Sequence, residues 1–183
     1  HAVLMGAGHV AADESFAVLL GDDLLHPGSG FLRRMIETHE RTGRPVVALM
    51  EVPEDQVNLY GVAEVAAGER DGEFLISRLV EKPPVEEAPS NLILVGRYVL
   101  PGAIFDVLRD TPPGRGGEIQ LTDGLQTMAA DEPIVGIKLE EPRYDTGDRL
   151  GFLQATVQLA AARDDLGPPF LAWLRDWLAE QEA

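Results

Sequence analysis

Two short clusters carry residue types whose chemistry could be used. Gly21-Asp22-Asp23 follows the apolar run Phe16 to Leu20, and a carboxylate pair at the C-terminal end of a buried strand stands where open α/β sheets place their ligands. Magnesium suits such a pair, because it takes one or two carboxylates and completes its shell with waters and phosphate oxygens. Taken alone, the same tripeptide is more commonly a solvated turn or a helix cap. In Glu81-Lys82-Pro83 the carboxylate can accept two neighbouring sugar hydroxyls, and the ammonium can meet a phosphate as a point charge. An ordinary surface ion pair before a proline would look the same.

Other patterns are excluded by spacing. Gly6-Ala-Gly8-His-Val-Ala11 matches the G-x-G-x-x-A dinucleotide pattern, yet only seven residues separate Gly8 from Phe16, fewer than the roughly 10 to 12 a crossover helix needs. It is read as a helix end followed by a loop. Arg115-Gly-Gly117 is too short for a phosphate cradle. His1, His9, His26 and His39 lack zinc-ligand spacing, and no serine sits in a nucleophile elbow.

The 183 residues are 45% hydrophobic and 25% charged, and their length predicts one compact domain over 1–183. Cysteine is absent, which removes disulfide, thiolate and cysteine-metal chemistry. A net charge of -16 repels nucleic acid and allows an anionic substrate only where a metal ion or a well-placed cation reverses the local field. Lysine is confined to Lys82 and Lys138, so each is a candidate for a position that wants a compact ammonium. No apolar run approaches the roughly 20 residues that span a bilayer, and no signal peptide opens the chain; a cytoplasmic location is expected.

Strand-length apolar runs alternate with amphipathic stretches, which predicts an α/β layered fold. Phe16 to Leu20 is expected to be a central strand covered on both faces. A helix over Ser29 to Thr42, capped by Gly43, then leads to a strand over Pro45 to Glu51, forming a right-handed β-α-β unit. Gly61 to Val80 is expected to form a hairpin with a tight primed turn at Asp71-Gly72. Asn91 to Leu100 predicts a strand, with Pro101 opening a helix. Helices are expected over Glu118 to Ala130, Asp148 to Ala162 and Pro168 to Glu182 (a C-terminal helix within 168–183), with a strand over Pro133 to Leu139. Pro83 to Ser90 is an expected exposed loop. The last helix stacks Phe170, Leu171, Trp173, Leu174, Trp177 and Leu178 in one face, suited either to packing on the chain's own sheet or to pairing subunits.

In order, these pieces resemble bacterial UTP-glucose-1-phosphate uridylyltransferases, which are sugar-nucleotide pyrophosphorylases. The matching residues are His1-Ala-Val-Leu4, Phe16-Ala-Val-Leu-Leu-Gly-Asp-Asp-Leu24, Tyr60-Gly-Val62, Val80-Glu-Lys-Pro83, Ser90-Asn-Leu92, Gly96-Arg-Tyr-Val-Leu100, Gly117-Glu-Ile-Gln-Leu-Thr-Asp123 and Arg143-Tyr-Asp-Thr-Gly-Asp148. The resemblance implies a Rossmann-like, GT-A-like nucleotidyltransferase fold: a mixed sheet flanked by helices, with a β-hairpin insertion. It implies uridylyl transfer from UTP to glucose 1-phosphate, with Mg2+ held by Asp22 and Asp145. It implies that Glu81 accepts sugar hydroxyls, that Lys82 holds the sugar phosphate, and that Gly61 admits a backbone N–H to the ring. Tyr60 and Asn91 become candidates for the pocket wall. Asp23 either orients the sugar or is solvated, with solvation favoured, and Glu118 and Asp123 serve either the site or a helix N-terminus. A homodimer or homotetramer is implied as well.

The departure from this pattern is a missing glycine-rich loop of the kind L-A-A-G-x-G-T-R. With an opening at His1 inside an apolar segment, this predicts a C-terminal part of the enzyme, truncated before the nucleotide-binding half and with little activity alone. Base specificity and the choice between glucose and a close epimer are not legible. The alternatives are a noncatalytic sugar-phosphate-binding or oligomerisation fragment, or a sibling transferase of different base specificity.

Overall fold

The computed structural model describes residues 1–11, 13–26 and 28–181. In chain order the elements are α1 (Ala2–Met5), a 3-10 turn (Gly6–His9), β1 (Ser15–Leu19), β2 (Asp23–Leu25), α2 (Phe31–Thr42), β3 (Val46–Glu51), β4 (Gly61–Ala67), β5 (Glu73–Glu81), β6 (Leu92–Pro101), α3 (Ile104–Asp110), α4 (Leu121–Asp131), β7 (Ile134–Lys138), β8 (Arg143–Asp145), α5 (Arg149–Ala161) and α6 (Gly167–Gln181). These residues divide into two compact units, His1–Leu20 with Gly30–Glu140, and Gly21–Ser29 with Glu141–Ala183. Among the described residues no helix is long and apolar enough to cross a membrane.

The first unit is a mixed sheet of order β1-β6-β3-β7-β5-β4 flanked by helices, and Val62 of β4 returns to pair with Ile93 of β6. Its longest buried strand is β6, an interior strand covered along nearly its whole length, and not the Phe16 run. β1 is an edge strand of alternating exposed and half-buried residues, with Phe16 stacked on Phe105 at 4.8 Å. An uninterrupted apolar run is therefore no proof of two covered faces. β1 and β3 do run in the same direction, since both are antiparallel to β6, but β6 lies between them; the parallel neighbours are β3 and β7.

Phe31 and Met35 bury one face of α2 completely, and Gly43, at φ 68°, turns its N–H back to the His39 carbonyl. The hairpin forms at β4 and β5, but its turn is longer than expected: Gly68 donates to the Glu73 carbonyl, and only Gly72 has positive φ, whereas a primed turn of type I′ needs two such residues. Pro101 ends β6 and does not open a helix, and α4 begins at Leu121, three residues later than Glu118. Leu100, Ile104, Leu108 and Leu125 are among the core side chains that join β6, α3 and α4. Each contributes about 1.5–3 kcal/mol by leaving water. Residues 2–9 are helical, whereas a dinucleotide fold would require a strand running directly into Gly6.

The second unit pairs β2 with β8 antiparallel and carries α5 and α6. Asp148 caps α5, accepting from the Gly151 N–H at 2.8 Å, and Tyr144 of β8 donates to Gln158 of α5. The helical period of α6 is as expected, but its aromatic face is open: Trp173 and Trp177 stack on each other while 57% and 44% exposed. Glu182 and Ala183, included in the expected helix, lie outside the described residues.

Candidate active site

A cavity of about 760 Å³ in the first unit is lined by Tyr60, Gly61, Glu81, Lys82, Glu118 and Thr122, among others. Gly61 opens β4 directly opposite Glu81, the last residue of β5. Neighbouring residues on a strand point to opposite faces, so Glu81 and Lys82 would ordinarily diverge. They do not, because Lys82 adopts φ 47°, the one non-glycine residue with positive φ among those described. Its N–H still bonds the Tyr60 carbonyl at 2.9 Å, which holds the reversed backbone in place. Lys82 Nζ then lies 4.0 Å from Glu81 Oε1, and both side chains line the one cavity. Such a left-handed conformation costs a bulky residue about 1–2 kcal/mol and persists only where surrounding contacts enforce it.

The Glu81 carboxylate is half-sheltered and oriented. Thr122 Oγ1 donates to its Oε2 at 2.6 Å. A side-chain carbon at Gly61 would sit 3.1 Å from that oxygen and 3.2 Å from Thr122 Oγ1, so glycine keeps this corner clear. The arrangement offers a fixed acceptor for hydroxyls beside a cation for a phosphate. Glu118 lines the cavity; Asp123, in the first turn of α4, does not.

Asn91 is placed elsewhere. It donates to Glu51 Oε1 at 3.3 Å, and Lys138 donates to Glu51 Oε2 at 2.7 Å. Lys138, followed by Asn91, holds the Glu51 carboxyl below the usual carboxylate range, and Glu51 raises the Lys138 ammonium above its ordinary value.

In the second unit, Asp145 pairs with Asp23 across the β2–β8 ladder, and the Asp22 carbonyl accepts from the Thr146 N–H and hydroxyl. The point that a side-chain carbon on Gly147 would occupy lies 3.1 Å from Asp145 Oδ1 and 3.3 Å from Asp22 Oδ2. Two carboxylates, more than a hundred residues apart in sequence, thus converge on a space that glycine leaves open. Among the described residues no third histidine or carboxylate completes a cluster of three around a metal. A pair fits magnesium, which retains waters and takes phosphate oxygens to fill its shell.

Asp23 is buried and not solvated. It is 3% exposed, and Arg143 Nε donates to its Oδ1 at 2.9 Å, while Arg143 Nη2 reaches Asp145 Oδ2 at 3.3 Å. The pairing explains why: Arg143 faces Leu25, two residues from Asp23 on the same side of the ribbon. Arg143, Thr122 and Gly147 were not legible as site residues, although each lies inside a matched motif. A glycine two positions after a candidate ligand was the available signal for Gly147.

Residues 1–162 match the family model described as nucleotidyl transferase. The chain belongs to the nucleotidyl transferase family. It is 41% identical over 176 residues to a UTP-glucose-1-phosphate uridylyltransferase of Bacillus subtilis, a match covering 96% of this chain and 59% of that protein. A crystal structure of UDP-glucose pyrophosphorylase complexed with UDP-glucose aligns with a TM-score of 0.82 at 37% identity, over 89% of this chain and 62% of that one. A UTP-bound UDP-glucose pyrophosphorylase structure from Acinetobacter baumannii aligns with a TM-score of 0.83 at 36% identity, over 95% and 60%. The chain thus spans about 60% of the length of these relatives, and its mixed sheet flanked by helices is the fold of the nucleotidyl transferase family.

Proposed function

We propose that this chain is the sugar-phosphate and metal-binding part of a UTP-glucose-1-phosphate uridylyltransferase. The observation that carries the reading is the left-handed backbone at Lys82, which brings a carboxylate and an ammonium, adjacent in sequence, into one cavity opposite a glycine. The relatives named for this activity, and the structures described as bound to UDP-glucose and to UTP, support the substrate assignment.

In this reading Glu81 accepts hydroxyls of the glucose ring, Lys82 meets its phosphate, and Gly61 and Tyr60 form the wall beside the ring. A phosphate oxygen of glucose 1-phosphate forms a bond to the α-phosphorus of UTP as the bond to the β-phosphate oxygen breaks. Pyrophosphate leaves with the electron pair. The attacking phosphate is already ionised at neutral pH, so the protein supplies position and charge and no general base is required. Asp22 and Asp145 would hold the magnesium ion, whose chemistry when bound is to neutralise phosphate charge.

The test is calorimetric titration of the chain with glucose 1-phosphate in the presence of magnesium, beside Glu81→Gln. Saturable binding by wild type, weakened about ten-fold or more in the variant, is expected from loss of a charged hydrogen-bond acceptor. Absence of saturable binding, or equal binding by both, refutes the reading. A second reading, that the chain also assembles with copies of itself, is favoured by the open aromatic face of α6. Sedimentation velocity tests it, a monomer at all concentrations counting against it.

A further inference from the structure

Thr42, Thr111, Thr127 and Thr156 each donate the side-chain hydroxyl to the carbonyl four residues earlier, the local bond open to a threonine in or just after a helix. Thr38 of α2 and Thr122 of α4 instead reach carboxylates on β5: Thr38 donates to Glu73 at 3.3 Å and Thr122 to Glu81 at 2.6 Å. Of the two, Thr122 is the second residue of its helix, so Glu118, four positions earlier, lies before the helix, and its acceptor Glu81 lines the cavity.

That contact belongs to a register between α4 and β5. Pairing of β5 with β7 ends at Ile76, leaving the rest of that edge of β5 without a strand neighbour. Gln126, one turn after Thr122, accepts the Leu79 N–H there through its side chain, at 2.5 Å. Leu79 and Glu81 share a face of β5, and two strand residues advance about 6.6 Å while four helical residues advance about 6 Å. The two spacings nearly match, so Gln126 fixes the helix where Thr122 can meet the carboxylate.

We propose that Thr122 is a positioning residue for Glu81: its hydroxyl holds Oε2, so that the carboxylate meets the sugar hydroxyls already oriented. The inference rests on the reading of Glu81 as the sugar-binding group. A free glutamate side chain gives up rotamer freedom when a ligand must order it. A short bond to an ionised acceptor settles that ordering before binding. Threonine suits the task better than serine because branching at Cβ restricts its first side-chain rotation, and its methyl lies 3.4 Å from the space beside Gly61.

The experiment titrates the 183-residue chain, with magnesium, using glucose 1-phosphate and, separately, inorganic phosphate. Wild type, Thr122→Val, Thr122→Ala, Thr122→Ser and Glu81→Gln are compared, with thermal midpoints recorded for each. Thr122→Val and Thr122→Ala are expected to weaken glucose 1-phosphate about ten-fold while leaving inorganic phosphate within about two-fold, and Thr122→Ser to recover most of the loss. A merely structural role would weaken both probes together and would not be rescued by serine. If wild type binds and Glu81→Gln binds poorly, but Thr122→Ala binds as tightly as Thr122→Ser, the positioning role is refuted and the sugar pocket stands. If wild type does not bind, or Glu81→Gln binds like wild type, the pocket reading falls and this inference with it. Should Thr122→Val fail to fold, the comparison of alanine with serine decides alone.

Discussion

Replacing Arg143 by methionine should destabilise the second unit far more than a surface arginine substitution would. The Asp23 and Arg143 side chains are 4% and 11% exposed and meet at 2.9 Å, so the variant leaves a carboxylate buried without this cation. Breaking a buried pair from one side costs about 3–5 kcal/mol. Because Asp23 makes further interactions, the lower end, about 3 kcal/mol, is the working figure. With a urea dependence near 2 kcal/mol per molar, that corresponds to a midpoint lower by about 1.5 M. The reporter is built in, since the chain's two tryptophans, Trp173 and Trp177, both lie on α6 in the same unit as the pair. Asp23→Asn removes the charge but keeps an oxygen for Arg143, and should cost only about 1 kcal/mol. Asp23→Leu combined with Arg143→Met should recover much of the single-variant loss, because an apolar replacement of both partners leaves no buried charge. A tryptophan-detected midpoint for Arg143→Met within about 0.3 M of wild type, well under the shift that slope implies, would refute the assignment of a buried, stabilising pair.

Gly147→Ala places a carbon between the Asp22 and Asp145 carboxylates, so Mn2+ affinity measured by titration should fall about ten-fold with little change in thermal midpoint; unchanged affinity counts against their convergence. Gly61→Ala presses on the Glu81–Thr122 bond and should weaken glucose 1-phosphate about ten-fold, measured by calorimetry. Lys82→Gly should be more stable than Lys82→Ala by about 1 kcal/mol in denaturant, since only glycine adopts positive φ freely, while neither retains phosphate binding. The Glu51–Lys138 pair sets a pH window. The lowered Glu51 value means its contribution is present above about 4.3 and is lost as pH falls through the folded value; the raised Lys138 value means its contribution is present below about 10.4 and is lost as pH rises through the folded value. Wild type and Lys138→Met should therefore differ in thermal midpoint near pH 7 at low salt and converge in acid, and a difference that persists at pH 2 would contradict this.

Where chemistry sits in adjacent residues, it could be read from the chain. Glu81-Lys82 and Gly21-Asp22-Asp23 stood out because residue type and neighbourhood coincide. What could not be read depended on partners far along the chain. Which aspartate of the pair is buried is decided by Arg143, 120 residues downstream, through the register of a three-residue ribbon. Asn91 is claimed by Glu51 for a similar reason. The strands were found, but their order was inverted in importance. β6 carries Gly96 and Arg97 in its middle, so it looks less like a core strand than the uninterrupted Phe16 run. Arg97 is nevertheless buried, donating to the Gly96 and Leu20 carbonyls, and hydrogen bonding of this kind lets a polar residue occupy a central strand.

Each of the two clusters, one in each unit, depends on side-chain volume that is absent. At Gly61 a missing carbon leaves room for the Glu81 carboxylate and the Thr122 hydroxyl to bond; at Gly147 it leaves room for Asp22 and Asp145 to face one point. At both positions the backbone has no positive φ, so glycine is not needed for conformational freedom. The need is for space beside charged oxygens, and alanine is the test that separates the two explanations. A turn requirement would cost folding stability on substitution, whereas a space requirement should cost affinity with folding nearly intact. Lys82 is the complementary case, a bulky residue kept beside the cavity in a conformation that glycine would adopt more easily.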